Sequence, residues 1–327
     1  MSVTEVTRRR FIAISAAATA AAYWPGRATA GTGLLEWRGV ALGARAAIRL
    51  AHPDPGSGRA LLRQCVDEIE RLERIFSLYR PDSALCRLNG AGTLDLPPFE
   101  LVELLSYAAD VSAVSQGTFD VTVQPLWQRY ADHFGRPGAD PAGPALADAL
   151  ALVDWRAVSI DANRIAFDRP GMAVTLNGIA QGYITDRVAD LLRRAGMDSV
   201  LIDLGETRAV GAHPDGRPWR IGLADPSDPT RVARRLDLAE AAIATSGGYG
   251  TALDATGRHT HLIDPRSGRS APVRQSVSVV APRATVADAA STALALLPPE
   301  RAWGILTLLG ASAAHFQGPE GSQTVWA

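Results

Sequence analysis

The order of helical and strand-like segments is the feature that most constrains what this chain can fold into. Helices are predicted over 59–76, 99–115, 185–195 and 286–297, and strand-like segments over 35–51, 157–160, 164–168, 172–176, 199–203, 219–223, 241–245 and 276–281. These segments do not form the regular βαβ alternation that produces a parallel sheet with helices on both faces. We therefore predict an α+β fold with a mixed, largely antiparallel sheet and packed helices.

The N-terminal residues resemble an export signal. Residues 7–13 (TRRRFIA) supply a basic region, and the apolar run Phe11 to Trp24 has 14 residues, fewer than the roughly 20 that a membrane-spanning helix needs. The small residues ATAG at 28–31 form an A-x-A-type cleavage site. Arg8 and Arg9, followed by Phe11, are typical of a twin-arginine signal, which exports proteins already folded.

This pattern divides the chain into a signal peptide over 1–30 and one domain over 31–327. We predict export to the periplasm by the twin-arginine route. The alternative is an uncleaved amphipathic anchor. No segment beyond the signal predicts a membrane span.

Composition excludes some partners and some metal sites. A formal net charge of −1 argues against a general nucleic-acid binder. The two cysteines, Cys65 and Cys86, are too few for a cysteine-based metal site. Both lie in segments that read as helix, where cysteine packs as a small apolar residue. We predict that they are unpaired, with a disulfide as the alternative in an oxidising compartment.

The stretch VADAASTALALL (286–297) carries two polar residues of interest. Asp288 and Thr292 are four positions apart, so a helix places them on one face. In one interpretation Asp288 caps its own helix and Thr292 bonds back to the carbonyl of Asp288. In the other, the two oxygens bind Mg²⁺, which keeps waters and completes its coordination from a substrate phosphate.

Three further clusters combine small residues with polar ones. In QGTFDVTVQPLW (116–127), Asp120 either caps a turn or contacts a nucleotide or flavin. In TLNGIAQGYITD (175–186), a helix opens after a strand, and its free N–H groups suit an anion, although a structural turn is an equal reading. The third consists of IATSGGYG (243–250) and RHTHLIDPRSG (258–268), where His259 and His261 are two positions apart, so a strand places both on one side. Two histidines are a weak metal signal, and His261 is either an acid or base or a structural residue.

Taken in order, six motifs resemble one family. They are YRPDSALCRLN (79–89), GTFDVT (117–122), LNGIAQGYITD (176–186), IATSGGY (243–249), HLIDPRSG (261–268) and ADAASTA (287–293). The chain resembles the FAD:protein FMN transferase family, also called ApbE, over about residues 35–310. The resemblance implies an α+β fold and Mg²⁺ dependence. It also implies transfer of FMN from FAD to a Thr or Ser hydroxyl of an exported or membrane acceptor flavoprotein, with release of AMP.

The resemblance also implies roles for individual residues. Asp288 and Thr292 match the metal-binding pair, with the backbone carbonyl of Ala180 and a contact at Ser291 completing the protein's share. His261 matches the histidine that helps the acceptor hydroxyl lose its proton. The positions that match contacts with FAD are Leu42, Tyr79, Thr118, Phe119, Asp120, Asn177, Tyr183 and Ile263.

Two positions depart from the family pattern. Gln181 stands where the family more often has Lys or Glu, and Leu204-Gly205-Glu206 replaces Gly-Gly-Asp with one glycine fewer. We interpret both as marks of a subgroup, such as the branch that accompanies nitrous-oxide reductase maturation. Two rival functions remain open: a periplasmic FAD pyrophosphatase that yields FMN and AMP, and a non-catalytic flavin-binding accessory protein.

Overall fold

The computed structural model describes residues 33–254, 256–271, 275–319 and 321–327. The predicted signal peptide over 1–30 lies outside the described residues. Within the described ranges, no helix is both long and apolar enough to cross a bilayer.

Helices and strands follow one another irregularly along the described chain, as the sequence predicted. The helices are α1 Pro55–Phe76, α2 Ala84–Ala91, α3 Phe99–Val114, α4 Gln124–Phe134, α5 Ala147–Leu150, α6 Ala180–Arg194, α7 Ala284–Leu294 and α8 Ala302–Leu309. The strands are β1 Leu34–Ala41, β2 Ala44–Ala51, β3 Thr93–Asp95, β4 Val158–Ile160, β5 Arg164–Phe167, β6 Val200–Asp203, β7 Thr207–Val210, β8 Trp219–Asp225, β9 Asp228–Leu238, β10 Ala242–Gly247, β11 Ser276–Ala281, β12 Ala313–Gly318 and β13 Gly321–Trp326.

An eight-stranded sheet organises the fold. Its strand order is β1-β2-β6-β7-β10-β11-β12-β13, and two small sheets, β3-β5-β4 and β8-β9, accompany it. Every strand pair in the described residues is antiparallel. The predicted α+β class with a largely antiparallel sheet is therefore confirmed.

The helices bury their apolar faces against this sheet in two main clusters. The larger cluster joins α1, α2, α3 and α6 to strands β2 and β6. A second cluster joins α7 and α8 to β11 and β12. Helix α7 packs on α6 and on strands β10 and β11, so nearly all of its surface is buried. That burial explains its Ala-rich sequence, because only small side chains allow such close approach on every side.

The predicted strand over 172–176 is wrong. The segment is irregular because its backbone bonds to a side chain and to a distant loop rather than to a neighbouring strand. The Asn89 side chain donates to the Val174 carbonyl and accepts from the Val174 N–H, both at 2.8 Å. The Thr175 N–H donates to the Val121 carbonyl, also at 2.8 Å. The segment still leads directly into the N-terminus of α6.

The two cysteines are free, as predicted. Cys65 lies in the core side of α1, where burial raises the pKa of its thiol to about 12. The Cys86 thiol lies 3.5 Å from the Ser77 carbonyl and 3.4 Å from the Leu78 carbonyl. Both therefore act as small packing residues and not as a disulfide pair.

Candidate functional site

Asp288 and Thr292 share one face of α7, as the four-residue spacing predicts, and both line the same cleft. The predicted bond from Thr292 back to the Asp288 carbonyl is wrong. Ser291 makes that bond, at 3.0 Å, whereas the Thr292 hydroxyl lies 3.2 Å from the Ser246 hydroxyl and 3.5 Å from the Gly178 carbonyl. The Thr292 oxygen is therefore turned toward the cleft and the turn before α6.

Asp288 is a helix cap, but it caps a different helix from its own. Its Oδ2 accepts the backbone N–H of Gly182, in the first turn of α6, at 2.9 Å. The first turn of α7 is instead capped by Asp186, which accepts the N–H groups of Ala284 and Thr285. No hydrogen bond to Asp288 Oδ1 is found within the described chain, so one oxygen of this buried carboxylate is left for a ligand.

Two glycines allow α7 to approach α6 this closely. A Cβ added to Gly182 would lie 2.4 Å from the Ala284 carbonyl oxygen and 2.8 Å from the Asp288 Cβ. A Cβ added to Gly178 would lie 2.9 Å from the Thr292 hydroxyl oxygen. Any side chain at these positions would push the helices apart. The two glycines of the N-G-x-x-x-G pattern over 177–182 therefore allow the close contact with α7 in addition to forming the turn.

Segments from across the chain converge on the cleft. Of the residues predicted from the sequence, nine line it: Leu42, Thr118, Phe119, Asp120, Asn177, His261, Ile263, Asp288 and Thr292. The structure adds others that the sequence prediction did not place in the site, chiefly Gln181, Glu206, Thr245 and Ser246. Gln181 and Glu206 had been noted only as departures from the family pattern.

The other predicted site residues do not line the cleft. Tyr183 is buried against Phe76 in an edge-to-face contact, and its hydroxyl donates to the Glu103 carboxylate. Tyr79 belongs to the segment of chain that connects α1 to α2. Ala180, whose backbone carbonyl is the predicted ligand, and Ser291 are buried residues adjacent in sequence to Gln181 and Thr292 of the cleft, and the Ser291 hydroxyl lies 2.9 Å from the Ser246 hydroxyl. Contacts of Tyr79 and Tyr183 with FAD stay a prediction from the resemblance.

The cleft is rich in carboxyl groups. It is lined by the carboxylates of Asp120, Glu206 and Asp288, and no arginine is among the described residues that line it. Burial is the main cause that raises the pKa of Asp288, from the usual 3.8 to about 7. Burial, with the nearby charges of Asp288 and Asp203, raises the pKa of Glu206 well above its usual value. An additional cation would relieve this repulsion.

The donor atoms suit a hard cation such as Mg²⁺. In the described chain, no group of three or more His, Cys, Asp and Glu side chains is arranged to hold a metal. A site with one carboxylate, one hydroxyl and one carbonyl does not need such a group, because Mg²⁺ keeps several waters and takes oxygens from substrate phosphates. The unbonded Oδ1 of Asp288, together with the Thr292 hydroxyl, fits that donor set.

Two buried polar atoms in the cleft wall have no hydrogen-bond partner: the Thr118 hydroxyl and the Gln181 amide nitrogen. Buried polar groups are almost always bonded, so such atoms indicate a missing ligand or water. Gln181 also packs against Gly205, where an added Cβ would lie 2.4 Å from the amide nitrogen. Gly205 has a φ of +103°. The two departures from the family pattern are thus neighbours in space.

His261 is oriented as a neutral base. Its Nδ1 lies 3.3 Å from the Thr251 carbonyl oxygen. A carbonyl can only accept, so Nδ1 carries the proton and Nε2 is left as the acceptor. Burial lowers the pKa of His261, which keeps the ring neutral. His259 does not join it, because its ring packs instead against Tyr130 and Phe134.

Asp120 caps a turn, which is one of the two roles that the sequence allowed for it. It accepts the N–H and the hydroxyl of Thr122 at 2.8 and 2.6 Å, and the N–H of Trp155 at 3.2 Å. These bonds fix the turn before α4. Burial nevertheless raises the pKa of Asp120, and the side chain stays at the wall of the cleft, where it is one of the lining carboxyl groups.

A larger hollow lies on the other side of the segment 261–271. It has a volume of about 1070 Å³ and is lined mainly by Ser, Gln, Leu and Pro side chains. None of the residues predicted to act in the site lines it. The two hollows share Leu296. The smaller cleft holds all the groups described above and is therefore the candidate site.

Known proteins with this sequence pattern and architecture are flavin transferases. A curated protein from Vibrio cholerae serotype O1, called FAD:protein FMN transferase, is 32% identical over 248 residues, which is 72% of this chain and 73% of that protein. A protein of the same name from Klebsiella pneumoniae is 30% identical over 264 residues, or 76% and 74% of the two chains.

Solved structures agree with these sequence relatives. The flavin transferase ApbE from Vibrio cholerae superposes with a TM-score of 0.76 at 26% identity, over 90% of this chain and 97% of that one. The flavinyl transferase ApbE from Pseudomonas stutzeri gives 0.73 at 28% identity, over 90% and 94%. A family model described as the ApbE family matches residues 42–316. By sequence and by architecture, this chain belongs to the ApbE family.

Proposed function

We propose that this protein is an FAD:protein FMN transferase, the activity for which its relatives are named. It would move FMN from FAD to a Thr or Ser hydroxyl of an acceptor protein and release AMP. The observation that carries the proposal is the combination in one cleft of an unbonded carboxylate oxygen, a hydroxyl one helical turn away and a neutral histidine. The acidic cleft would admit a pyrophosphate only together with a cation.

Asp288 and Thr292 would hold Mg²⁺, with the carbonyl of Ala180 as the further protein ligand that the family resemblance implies. When bound, such an ion neutralises charge on the pyrophosphate and on the departing phosphate, which is worth several kcal/mol of transition-state stabilisation. One oxygen of Asp288 would bind the ion, while the other accepts the Gly182 N–H in the first turn of α6. Ser291, which bonds to Ser246, would support Thr292 rather than bind the ion.

His261 would accept the proton of the acceptor hydroxyl at Nε2 as that hydroxyl attacks the FMN-side phosphorus of FAD. The P–O bond to AMP breaks as the new P–O bond forms. General base catalysis of this kind contributes about 10²–10⁴-fold. The unpartnered donors at Thr118 and Gln181 would bind acceptor atoms of FAD.

The cleft has a volume of about 170 Å³. Sites that enclose a whole drug-sized ligand have roughly 300–1,000 Å³. The cleft would therefore enclose the pyrophosphate and its neighbours, while the remainder of FAD lies across the opening. Such an open arrangement leaves room for an acceptor protein to reach the phosphorus.

We also propose that the protein is exported by the twin-arginine route and acts in the periplasm. The support is the sequence of residues 7–31, with its paired arginines, short apolar run and small-residue end. Expression with Arg8 and Arg9 replaced by Gln, followed by cell fractionation, tests this. Accumulation of the variant in the periplasm at the level of the natural sequence would refute the route.

The transfer reaction is tested by incubating the purified protein with FAD, Mg²⁺ and an acceptor domain. Flavin fluorescence on the acceptor band after denaturing electrophoresis is the expected result. A membrane flavoprotein of nitrous-oxide reductase maturation is one acceptor to include, because the subgroup interpretation predicts it. AMP is measured in parallel without acceptor.

Three outcomes separate the functions. A fluorescent acceptor with AMP formed in equal amount supports transfer. Rapid AMP and FMN release that does not depend on any acceptor would support a pyrophosphatase instead. Tight FAD binding without AMP under every condition would support a non-catalytic flavin-binding protein.

A further inference from the structure

Helices α6 and α7 cap each other through a pair of carboxylates. Asp288, on α7, accepts the N–H of Gly182 in the first turn of α6, at 2.9 Å. Asp186, on α6, accepts the N–H groups of Ala284 and Thr285 in the first turn of α7, each at 2.9 Å. Asp288 lies about one turn inside α7 and Asp186 nearly two turns inside α6. Because the earlier residue of α6 meets the later residue of α7, the two helices pass antiparallel and are held at two points.

The Asp186 carboxylate is saturated with donors. Besides the two backbone N–H groups, its oxygens accept hydrogen bonds from the Thr285 hydroxyl at 2.7 Å and from the guanidinium of Arg208, and Oδ2 forms an ion pair with the Arg283 Nε at 3.2 Å. A carboxylate has about four lone-pair sites, and here donors surround both oxygens. Asp186 is fully buried and Arg208 nearly so. Its position is therefore fixed from several directions.

What Asp186 fixes is the start of the helix that carries the metal ligands. Ala284, Asp288 and Thr292 follow one another at four-residue intervals along one face of α7. The opposing residues on the α6 side, Asp186 and Gly182, follow the same interval. A helix moves as a rigid unit, so a shift of its first turn along α6 moves both ligand oxygens by the same amount.

We propose that Asp186 is a positioning residue for the divalent cation. Its carboxylate sets where α7 begins relative to α6, and so sets the distance from the Asp288 and Thr292 oxygens to the first turn of α6. The proposal rests on the function proposed above. It assigns to a residue outside the cleft a role in cation affinity, distinct from a general contribution to folding.

Asp190 provides a matched control. It lies one turn further along α6 and contacts the same two arginines, Arg283 at 3.1 Å and Arg208 at 3.9 Å. Unlike Asp186, it accepts no backbone N–H from α7 in the described chain. Asp186→Asn and Asp190→Asn therefore make the same chemical change in the same charge cluster, and only the first disturbs the start of α7.

The experiment measures Mn²⁺ binding by electron paramagnetic resonance, with FAD present and no acceptor, after circular dichroism has confirmed folding. Asp186→Asn is expected to weaken Mn²⁺ binding by about 10-fold, the lower end of the effect of removing outer partners of a metal site, because Asp186 orients the helix that carries the ligands and contacts neither ligand itself. Asp190→Asn should stay within about twofold of the natural protein. Raised Mg²⁺ should restore the kcat of FMN transfer in Asp186→Asn.

If Asp186→Asn does not fold, a milder pair of variants tests the same inference. Thr285→Val removes one donor to Asp186 and keeps the backbone N–H, whereas Thr285→Ser keeps the hydroxyl. Thr285→Val should weaken Mn²⁺ binding several-fold relative to Thr285→Ser. Equal binding by each variant and its control would overturn the inference alone. No Mn²⁺ binding by the natural protein would overturn the proposed function and the inference with it.

Discussion

At Asp288, the two oxygens of a single carboxylate have different tasks. Oδ2 caps α6 through Gly182, and Oδ1 is the oxygen that we propose binds a cation. Because burial raises the pKa of this group to about 7, the ionised form is costly until a positive charge arrives. The capping bond and the cation site are thus combined in one buried side chain, and substitutions can separate them.

We expect Asp288→Ala and Asp288→Asn both to lose FMN transfer by at least about 100-fold, since neither offers an anionic ligand to Mg²⁺. Their stabilities should differ. Asn keeps a side-chain oxygen for the Gly182 N–H, so Asp288→Ala should be less stable than Asp288→Asn by about 0.5–2 kcal/mol, the cost of a lost cap. Urea unfolding in EDTA and the transfer assay measure the two effects. Transfer retained by Asp288→Asn at low free Mg²⁺ would exclude Asp288 as the metal ligand.

His315 is a second buried group whose protonation state is fixed by its neighbours. The Arg234 guanidinium donates to the Thr324 hydroxyl at 3.0 Å, and that hydroxyl lies 3.0 Å from His315 Nδ1. The Thr324 hydroxyl therefore lies between a guanidinium, which can only donate, and the His315 ring. Burial, with a smaller contribution from Arg234, lowers the pKa of His315 to about 4.

This arrangement predicts a loss of stability in acid. The unfolded chain has a histidine pKa of about 6.5, so between pH 6.5 and about 4 the unfolded state binds more protons than the folded state. The His315 contribution is therefore present above pH 6.5 and is lost as the pH falls, by at most about 3 kcal/mol. Urea unfolding at pH 7.5 and pH 4.5 should show a smaller loss in His315→Gln, whose amide does not titrate and can either donate to or accept from Thr324. Equal losses in the two proteins would contradict the assignment.

At the scale of elements, the contact between α6 and α7 decides the geometry of the site. Gly178 and Gly182 face Thr292 and Asp288 across this contact. Both glycines are needed for the close approach of two backbones and not for an unusual φ. The contact is apolar and Ala-rich elsewhere along α7, so the helices cannot separate locally without exposing buried surface.

Gly182→Ala should therefore destabilise the protein by about 1–3 kcal/mol, the usual cost of overpacking, although alanine favours helix more than glycine does. The added Cβ would meet the Ala284 carbonyl at 2.4 Å, and neither helix can yield without moving Asp288. Gly304→Ala is the control, because Gly304 lies in α8 with open space around it; it should stabilise by up to about 1 kcal/mol. Thermal unfolding measures both. A neutral or stabilising Gly182→Ala would show that the helices are not in close contact.

All four helices predicted from the sequence are present, whereas one predicted strand is absent and several strands were not predicted. Helix α1 has a regular apolar face, and its predicted end at 76 is correct; its start lies at Pro55, four residues earlier than predicted, because the Asp54 side chain caps it. Strands β9 and β13 were not predicted, since most of their residues are exposed and carry no clear alternation of buried and exposed positions. The 172–176 segment has strand-like residues, but the Asn89 side chain, and not a neighbouring strand, forms the hydrogen bonds of the Val174 backbone.

At the scale of the whole molecule, the site depends on the order of the strands in the large sheet, which local sequence patterns do not predict. Strand β10 lies between β7 and β11, which brings Ser246 and Glu206 to the cleft beside α7. The spacing of Asp288 and Thr292 was sufficient to predict a shared face. Local sequence could not predict that Asp288 caps α6 or that Asp186 caps α7, because those bonds join residues about a hundred positions apart.

The acidic cleft predicts that Mg²⁺ stabilises the fold in a pH-dependent way. The folded pKa of Asp288, which lines the cleft, is about 7 against a usual 3.8. Folded pKa values above the unfolded ones mean that the metal-free fold binds extra protons, so its stability is lost as the pH rises from about 4 through about 7. A bound cation favours the ionised carboxylates and offsets that loss, whereas at low pH protons compete with it.

The difference in melting temperature between Mg²⁺ and EDTA should therefore be near zero at pH 5 and about 5 °C at pH 8, when Mg²⁺ is present at about 100 times its Kd. Taking this difference at each pH cancels titrations that do not involve the metal, including that of His315. Differential scanning calorimetry of the natural protein and of Asp288→Asn makes the measurement, and the variant should show no difference at either pH. An equal effect of Mg²⁺ on both proteins, or one that does not change with pH, would show that the ion binds away from this cleft, because only a cation beside Asp288 must compete with the proton that burial holds there.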